Sequence, residues 1–208
     1  YARINYKTDK AQSFDMIIVS TSDCYGTCPI SSTCIDKYGN YIFYGQNYTT
    51  KSGLYKTKTD QSLYLRIENN FKKADINNLN ENYWANWTDD QTISVTFIKN
   101  NQIHKTVSDY GRQAPREFYW ACIQLQYLYQ RLNLKPFSAN TTKPVFIVHT
   151  YFENNDKVCE LLGSEAFYLT TELYKGKASN HKFDKKYILR YRDFRGSWQK
   201  LLDRWQIL

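Results

Sequence analysis

A chain of 208 residues has room for one large domain or two small ones, and its 42% hydrophobic and 23% charged content excludes disorder as the starting expectation. Nineteen Tyr, 11 Phe and 5 Trp against a single Met favour a sheet-rich fold, because aromatic side chains pack well on a pleated, half-buried surface. The net charge of +8 is concentrated near one end, and no run approaches the ~18 consecutive apolar residues that a spanning helix needs.

Residues 1–13 are polar, lack a sustained period and read as a leader or tether; a start at Tyr1 rather than Met looks like a processed mature chain or a trimmed one. Phe14–Thr21 is β-branched and reads as a strand, and Ile30–Asp36 as a second. Lys37-Tyr38-Gly39-Asn40 has turn chemistry and leads into a third strand, Tyr41–Tyr44. Gly53 opens a fourth, Leu54–Thr59. Asp60 offers an N-cap, and Leu63, Ile67 and Phe71 fall at helical spacing, which predicts a helix over 61–74.

Thr92–Ile98 and Ile103–Val107 read as a hairpin around Lys99-Asn100-Asn101-Gln102. Pro115 suits a helix start, and Phe118, Cys122, Leu125, Tyr129 and Leu132 keep one apolar stripe, as in a helix packed on a sheet. Residues 133–144, with Pro136 and Pro144, read as a linker. Strands are predicted beyond it at Val145–Phe152, Val158–Leu162, Ala166–Tyr174 and Lys186–Arg192. Gly196-Ser197 then caps a predicted final amphipathic helix carrying Trp198, Leu201, Leu202, Trp205 and Leu208. The expected class is α+β with antiparallel sheets: a module over 14–132 bearing two helices, and a β-rich extension over 145–208 ending in that helix.

Five cysteines are present: Cys24, Cys28, Cys34, Cys122 and Cys159. Cys24 and Cys28 flank a Gly-containing turn and read first as a short structural disulfide. Buried thiols, a redox pair and metal ligation are the alternatives. Redox chemistry lacks the C-x-x-C spacing, and zinc lacks compact partners because His104, His149 and His181 are isolated in sequence.

The segment Cys24-Tyr25-Gly26-Thr27-Cys28-Pro29 after the first strand, Asp36–Gly39, Tyr44-Gly45, Thr88-Asp89 and Val107-Ser108-Asp109-Tyr110-Gly111 arrive in one order over residues 17–132. In this the chain resembles a bacterial domain family of unknown function found mostly in envelope proteins and lipoproteins. Ile30-Ser31 departs from that family's pattern, which has an aromatic residue after Cys-Pro. The resemblance implies an α+β fold and an extracytoplasmic, periplasmic or outer-membrane-associated address. It singles out Tyr25, Gly26, Pro29, Asp109, Tyr110 and Gly111 and implies no activity or cofactor.

No phosphate loop, nucleophile elbow or H-E-x-x-H stands in the chain. Asp109 could serve as a general base with His104 or His149, but it reads more simply as a turn residue. No metal site, cofactor or catalytic residue is therefore expected, and an enzyme using the Cys24–Pro29 loop or the Asp109 turn stands as the alternative. Between Lys175 and Arg204 ten basic residues face only Asp184, Asp193 and Asp203. Lys186, Arg190, Arg192 and Arg195 are the candidate partner-binding residues, suited to an acidic envelope protein or an anionic membrane surface rather than to nucleic acid. The expected role is a non-enzymatic envelope binding or accessory protein, such as a subunit or lipoprotein-like component of a membrane-associated complex.

Overall fold

Runs of alternating or wholly buried β-branched residues lie between tight turns in the first hundred residues, and they build most of one large sheet. The computed structural model describes residues 13–137, 150–154, 157–175, 188–192 and 198–202, with side-chain environments for 13–137 and 160–172. The strands are β1 (Met16–Thr21), β2 (Ile30–Asp36), β3 (Asn40–Asn47), β4 (Gly53–Lys58), β5 (Asn82–Trp84), β6 (Thr92–Lys99), β7 (Gln102–Tyr110) and β8 (Lys135–Pro136). Their order is β5-β7-β6-β1-β2-β3-β4-β8, antiparallel throughout except for the parallel β5–β7 edge.

The turns follow from their residues. Asp36 Oδ1 accepts the N–H groups of Tyr38 and Asn40, while Gly39 takes φ +81°, so β2 folds back on β3. Between β6 and β7 both Asn100 and Asn101 have positive φ, the conformation of a two-residue hairpin whose twist matches its strands.

One face of the sheet carries α1 (Gln61–Lys72) and α2 (Arg116–Gln126). Phe43 stacks on Tyr129 at 4.0 Å between centroids, and Phe71 meets Phe97 and Phe118 edge-on. Each fully buried ring of this kind contributes roughly 1.5–3 kcal/mol of transfer free energy. The helical stripe predicted to reach Leu132 is shorter: α2 ends at Gln126 and a 3-10 turn, Leu128–Gln130, places Tyr129 over the core.

The other face carries α3 (Gly163–Lys175), whose Phe167 packs among Met16, Ile18, Cys34 and Ile98. This corrects the strand predicted at Ala166–Tyr174. The buried positions Ser164, Phe167 and Thr171 repeat at helical spacing, but two of them are hydroxyl residues, so no apolar stripe shows in the sequence. Glu165 Oε2 accepts the Leu162 N–H and secures the first turn.

A second antiparallel sheet has the order β10-β9-β11-β12, from β9 (Thr150–Asn154), β10 (Lys157–Leu161), β11 (Ile188–Arg192) and β12 (Trp198–Leu202). The final helix is corrected here: Trp198–Leu202 pairs with β11 across a register shift, and interstrand pairing overrides the helical spacing of its apolar residues. The molecule is thus mixed α+β, with a mostly antiparallel sheet between two helices and a third. Residues 1–12 of the leader, most of the linker, Val145–His149, Lys186, Arg195, Gly196-Ser197 and residues 203–208 lie outside the described residues.

Candidate functional site

Strand pairing places four serines side by side on the face that carries α3. Ser20 of β1 pairs with Ser32 of β2 on one side and Ser94 of β6 on the other, and Ser94 pairs with Ser108 of β7. The row continues to Asn82 at the β5 edge and to Tyr44 of β3 on the other side. Small side chains here let the start of α3 approach closely: a Cβ built on Gly163 would stand 3.2 Å from Ser20 Cβ. Ser94 Oγ accepts the Ser164 N–H at 3.0 Å, and Ser20 donates to Ser32 at 2.8 Å.

Beside the start of α3, a cleft of about 250 Å³ opens over this row. Its floor is Ser20, Ser32, Ser94 and Ser108; Trp84 forms one side, Tyr44 and Gln46 the other, and Glu160–Gly163 the rim. Trp84 is 75% exposed yet fixed from behind, stacked on Tyr110 with centroids 4.3 Å apart.

The residues that the sequence singled out gather at the same end of the sheet. Cys24 and Cys28 form a disulfide with Cα atoms 5.8 Å apart, within the range such a bond spans without backbone movement. Gly26 takes φ +145°, and Tyr25 stands 88% exposed while its N–H donates to Asp89 O. Pro29 O accepts both the Thr21 hydroxyl and Gln91 Nε2, tying the loop to β1 and to the start of β6. Tyr110 OH accepts the Asp90 N–H, and Gly111 at φ +75° lies against Ala85 and Trp87. Tyr25, Tyr48, Trp84 and Trp87 are all exposed large aromatics at this end.

Asp109 is buried, and its Oδ1 accepts the N–H groups of Gln113 and Ala114 at 2.7 and 3.2 Å. Its carboxylate shapes the turn into α2. Burial pushes its pKa above the ordinary carboxylate value, the two backbone donors oppose that, and the charge of Asp90 adds to it. His104 lies five residues back on the same strand, roughly 16 Å away at 3.3 Å per residue, against Phe14; His149 lies outside the described residues.

A carboxyl with a raised folded pKa binds more protons in the native than in the unfolded state. Its contribution to stability therefore falls as pH rises from near 3.8 through the raised value. Asp109→Asn should keep both backbone bonds and flatten this part of the stability–pH curve. An unchanged slope in urea melts between pH 3 and 7 would refute the assignment.

Cys34 and Cys122 are buried, and burial raises the Cys122 thiol far above its ordinary range, so it is a poor nucleophile. Among the described residues no three His, Cys, Asp or Glu side chains gather as metal ligands, and no helix is long and apolar enough to cross a membrane. Arg190 and Arg192 stand on β11, whose side-chain environments are outside the described set.

The family described as Domain of unknown function (DUF6438) matches residues 15–129, more than half of the chain. The chain belongs to that family. The DUF6438 segment runs from just before β1 to Tyr129, the ring stacked on Phe43, and includes α1, α2 and every residue of the disulfide loop. It supplies the serine floor, Trp84 and Tyr44 of the cleft, whereas Glu160–Ala166 come from the chain beyond it. No curated protein matches the chain. The cleft itself was missed in the sequence because its floor comes from Ser20, Ser32, Ser94 and Ser108, which only register brings together. Ser108 beside the Asp109-Tyr110-Gly111 element was the one signal near it.

Proposed function

We propose that the protein is a non-enzymatic binding or accessory protein of the bacterial cell envelope, which holds its partner at the sheet end shared by the disulfide loop and the Trp84–Tyr110 stack. The observation that carries this reading is the joint exposure of Tyr25, Tyr48, Trp84 and Trp87 at that end. Exposed aromatics grouped on a rigid scaffold are the usual anchors of an interface.

The oxidised Cys24–Cys28 pair supports an oxidising compartment outside the cytoplasm, where such bonds persist. The groups that an enzyme would have used have other employment: Asp109 caps a turn, the paired sulfurs are bonded, and Cys122 is buried. The basic run from Lys175 to Arg204, with Lys186, Arg190, Arg192 and Arg195, suits an acidic envelope partner or an anionic membrane surface.

Partner recovery from detergent-solubilised envelopes tests the reading, comparing wild type with a Tyr25→Ala/Trp84→Ala chain and an Arg190→Glu/Arg192→Glu/Arg195→Glu chain. A defined partner recovered by wild type and lost from the aromatic variant is the expected result. Equal recovery by all three, or none by any, overturns it.

A further inference from the structure

We propose that the cleft over the serine row is a saccharide subsite, taking one neutral pyranose ring of a larger glycan. This rests on the binding-module reading above and names the ligand class of the same sheet end. A pyranose has two demands: an aromatic face for its apolar C–H face, and short polar groups for its hydroxyls.

Trp84 meets the first. It is a wide, exposed indole whose back is already held by Tyr110 at 4.3 Å, so stacking a ring on its front orders little that is not ordered beforehand. The two ends of the serine row meet the second: Ser20, Ser32 and Ser94 are buried and bonded among themselves or to α3, which leaves the Ser108 hydroxyl and the Gln46 amide, groups that both donate and accept as a sugar hydroxyl does. Ser108 is half-buried on that floor below Trp84, and Gln46 stands exposed on the opposite side with an amide that can both donate and accept.

Charge narrows the class. Among the described residues no Lys or Arg lines the cleft and Glu160 is the one carboxylate, so a phosphate or an acidic sugar would meet no counter-charge from them. The volume of about 250 Å³ lies just below the range of drug-sized pockets, which suits one ring rather than an extended ligand.

Titration of the ¹⁵N-labelled full chain with chitotriose, cellotriose and maltotriose tests the proposal. The five tryptophan indole N–H signals serve as reporters, with the Trp84 signal identified by its absence from Trp84→Phe. At least one trisaccharide should shift the Trp84 signal saturably, and Trp84→Ala should weaken binding roughly tenfold or more, Ser108→Ala and Gln46→Ala by smaller factors. No shift with any of the three at millimolar concentration overturns the subsite, as does binding that survives Trp84→Ala undiminished. If the envelope partner is a polypeptide lost on Trp84→Ala while no trisaccharide binds, the saccharide assignment fails and the binding-module reading stands. Failure of both experiments removes both.

Discussion

Glu68→Ala is expected to lower the unfolding free energy by about 3 kcal/mol or more, through buried donors that lose their shared acceptor. Glu68 is fully buried on α1, and its Oε1 accepts the Ser13 and Phe14 N–H groups at 2.8 and 2.9 Å and the Tyr64 hydroxyl at 3.1 Å. Lys72 pairs with Oε2 at 3.2 Å, one turn along the helix. The single proton of the Tyr64 hydroxyl is shared with Phe14 O, the nearer acceptor at 2.6 Å, so the Ser13 and Phe14 N–H groups are the donors that depend on this carboxylate. Phe14 in turn lies 5.0 Å from Phe97 across the core. Glu68→Gln keeps an oxygen for the two backbone donors and loses the charge and the Lys72 pairing, so it should fall between wild type and alanine. Urea midpoints at unchanged slope measure both. An alanine variant within 1 kcal/mol of wild type would mean that the network does not anchor the first strand.

Gly111→Ala should cost about 2–4 kcal/mol, from two separable sources. At φ +75° any Cβ carries a conformational penalty of roughly 1–2 kcal/mol. That Cβ would also meet Ala85 Cβ at 2.5 Å and the Trp87 ring at 3.3 Å, which forces the segment after β5 to move. Gly53 provides the control, since its φ is +100° and nothing lies within 4 Å of its built Cβ. Gly53→Ala should therefore pay the backbone term alone. Gly111→Ala should in addition alter the near-ultraviolet circular dichroism of the tryptophans beside it. Equal losses from the two substitutions, with unchanged aromatic spectra, would show that the close approach to Ala85 and Trp87 is not rigid.

Both positions bear on how far the sequence could be read. Gly111 belongs to an element visible in the chain, and its role agrees with its chemistry: a positive φ and no space for a side chain. Glu68 gave no such signal, because a glutamate in an amphipathic helix reads as solvent-facing until tertiary packing carries it inside. The same asymmetry runs through the site. The disulfide loop, Asp109 and Tyr110 were legible as residues with local jobs, and they proved to lie at one end of the sheet. Trp84 lies in a stretch after the first helix that is rich in Asn, Tyr and Trp and reads as a loop, since a three-residue edge strand pairing parallel to β7 has no periodic pattern of its own.

From the amino-acid order alone came the first four strands, both helices over the family segment, the β6–β7 hairpin and the disulfide corner. All of these depend on interactions within a few residues: alternation, helical spacing, turn chemistry and a short covalent loop. The tertiary structure alone decided that residues 163–175 are helical, that Trp198–Leu202 is a strand, and that four serines scattered over ninety residues form one floor. Those outcomes depend on which surface each segment meets. A helix whose buried face is half hydroxyl, or a strand that owes its extension to a partner, has no local periodicity to announce it.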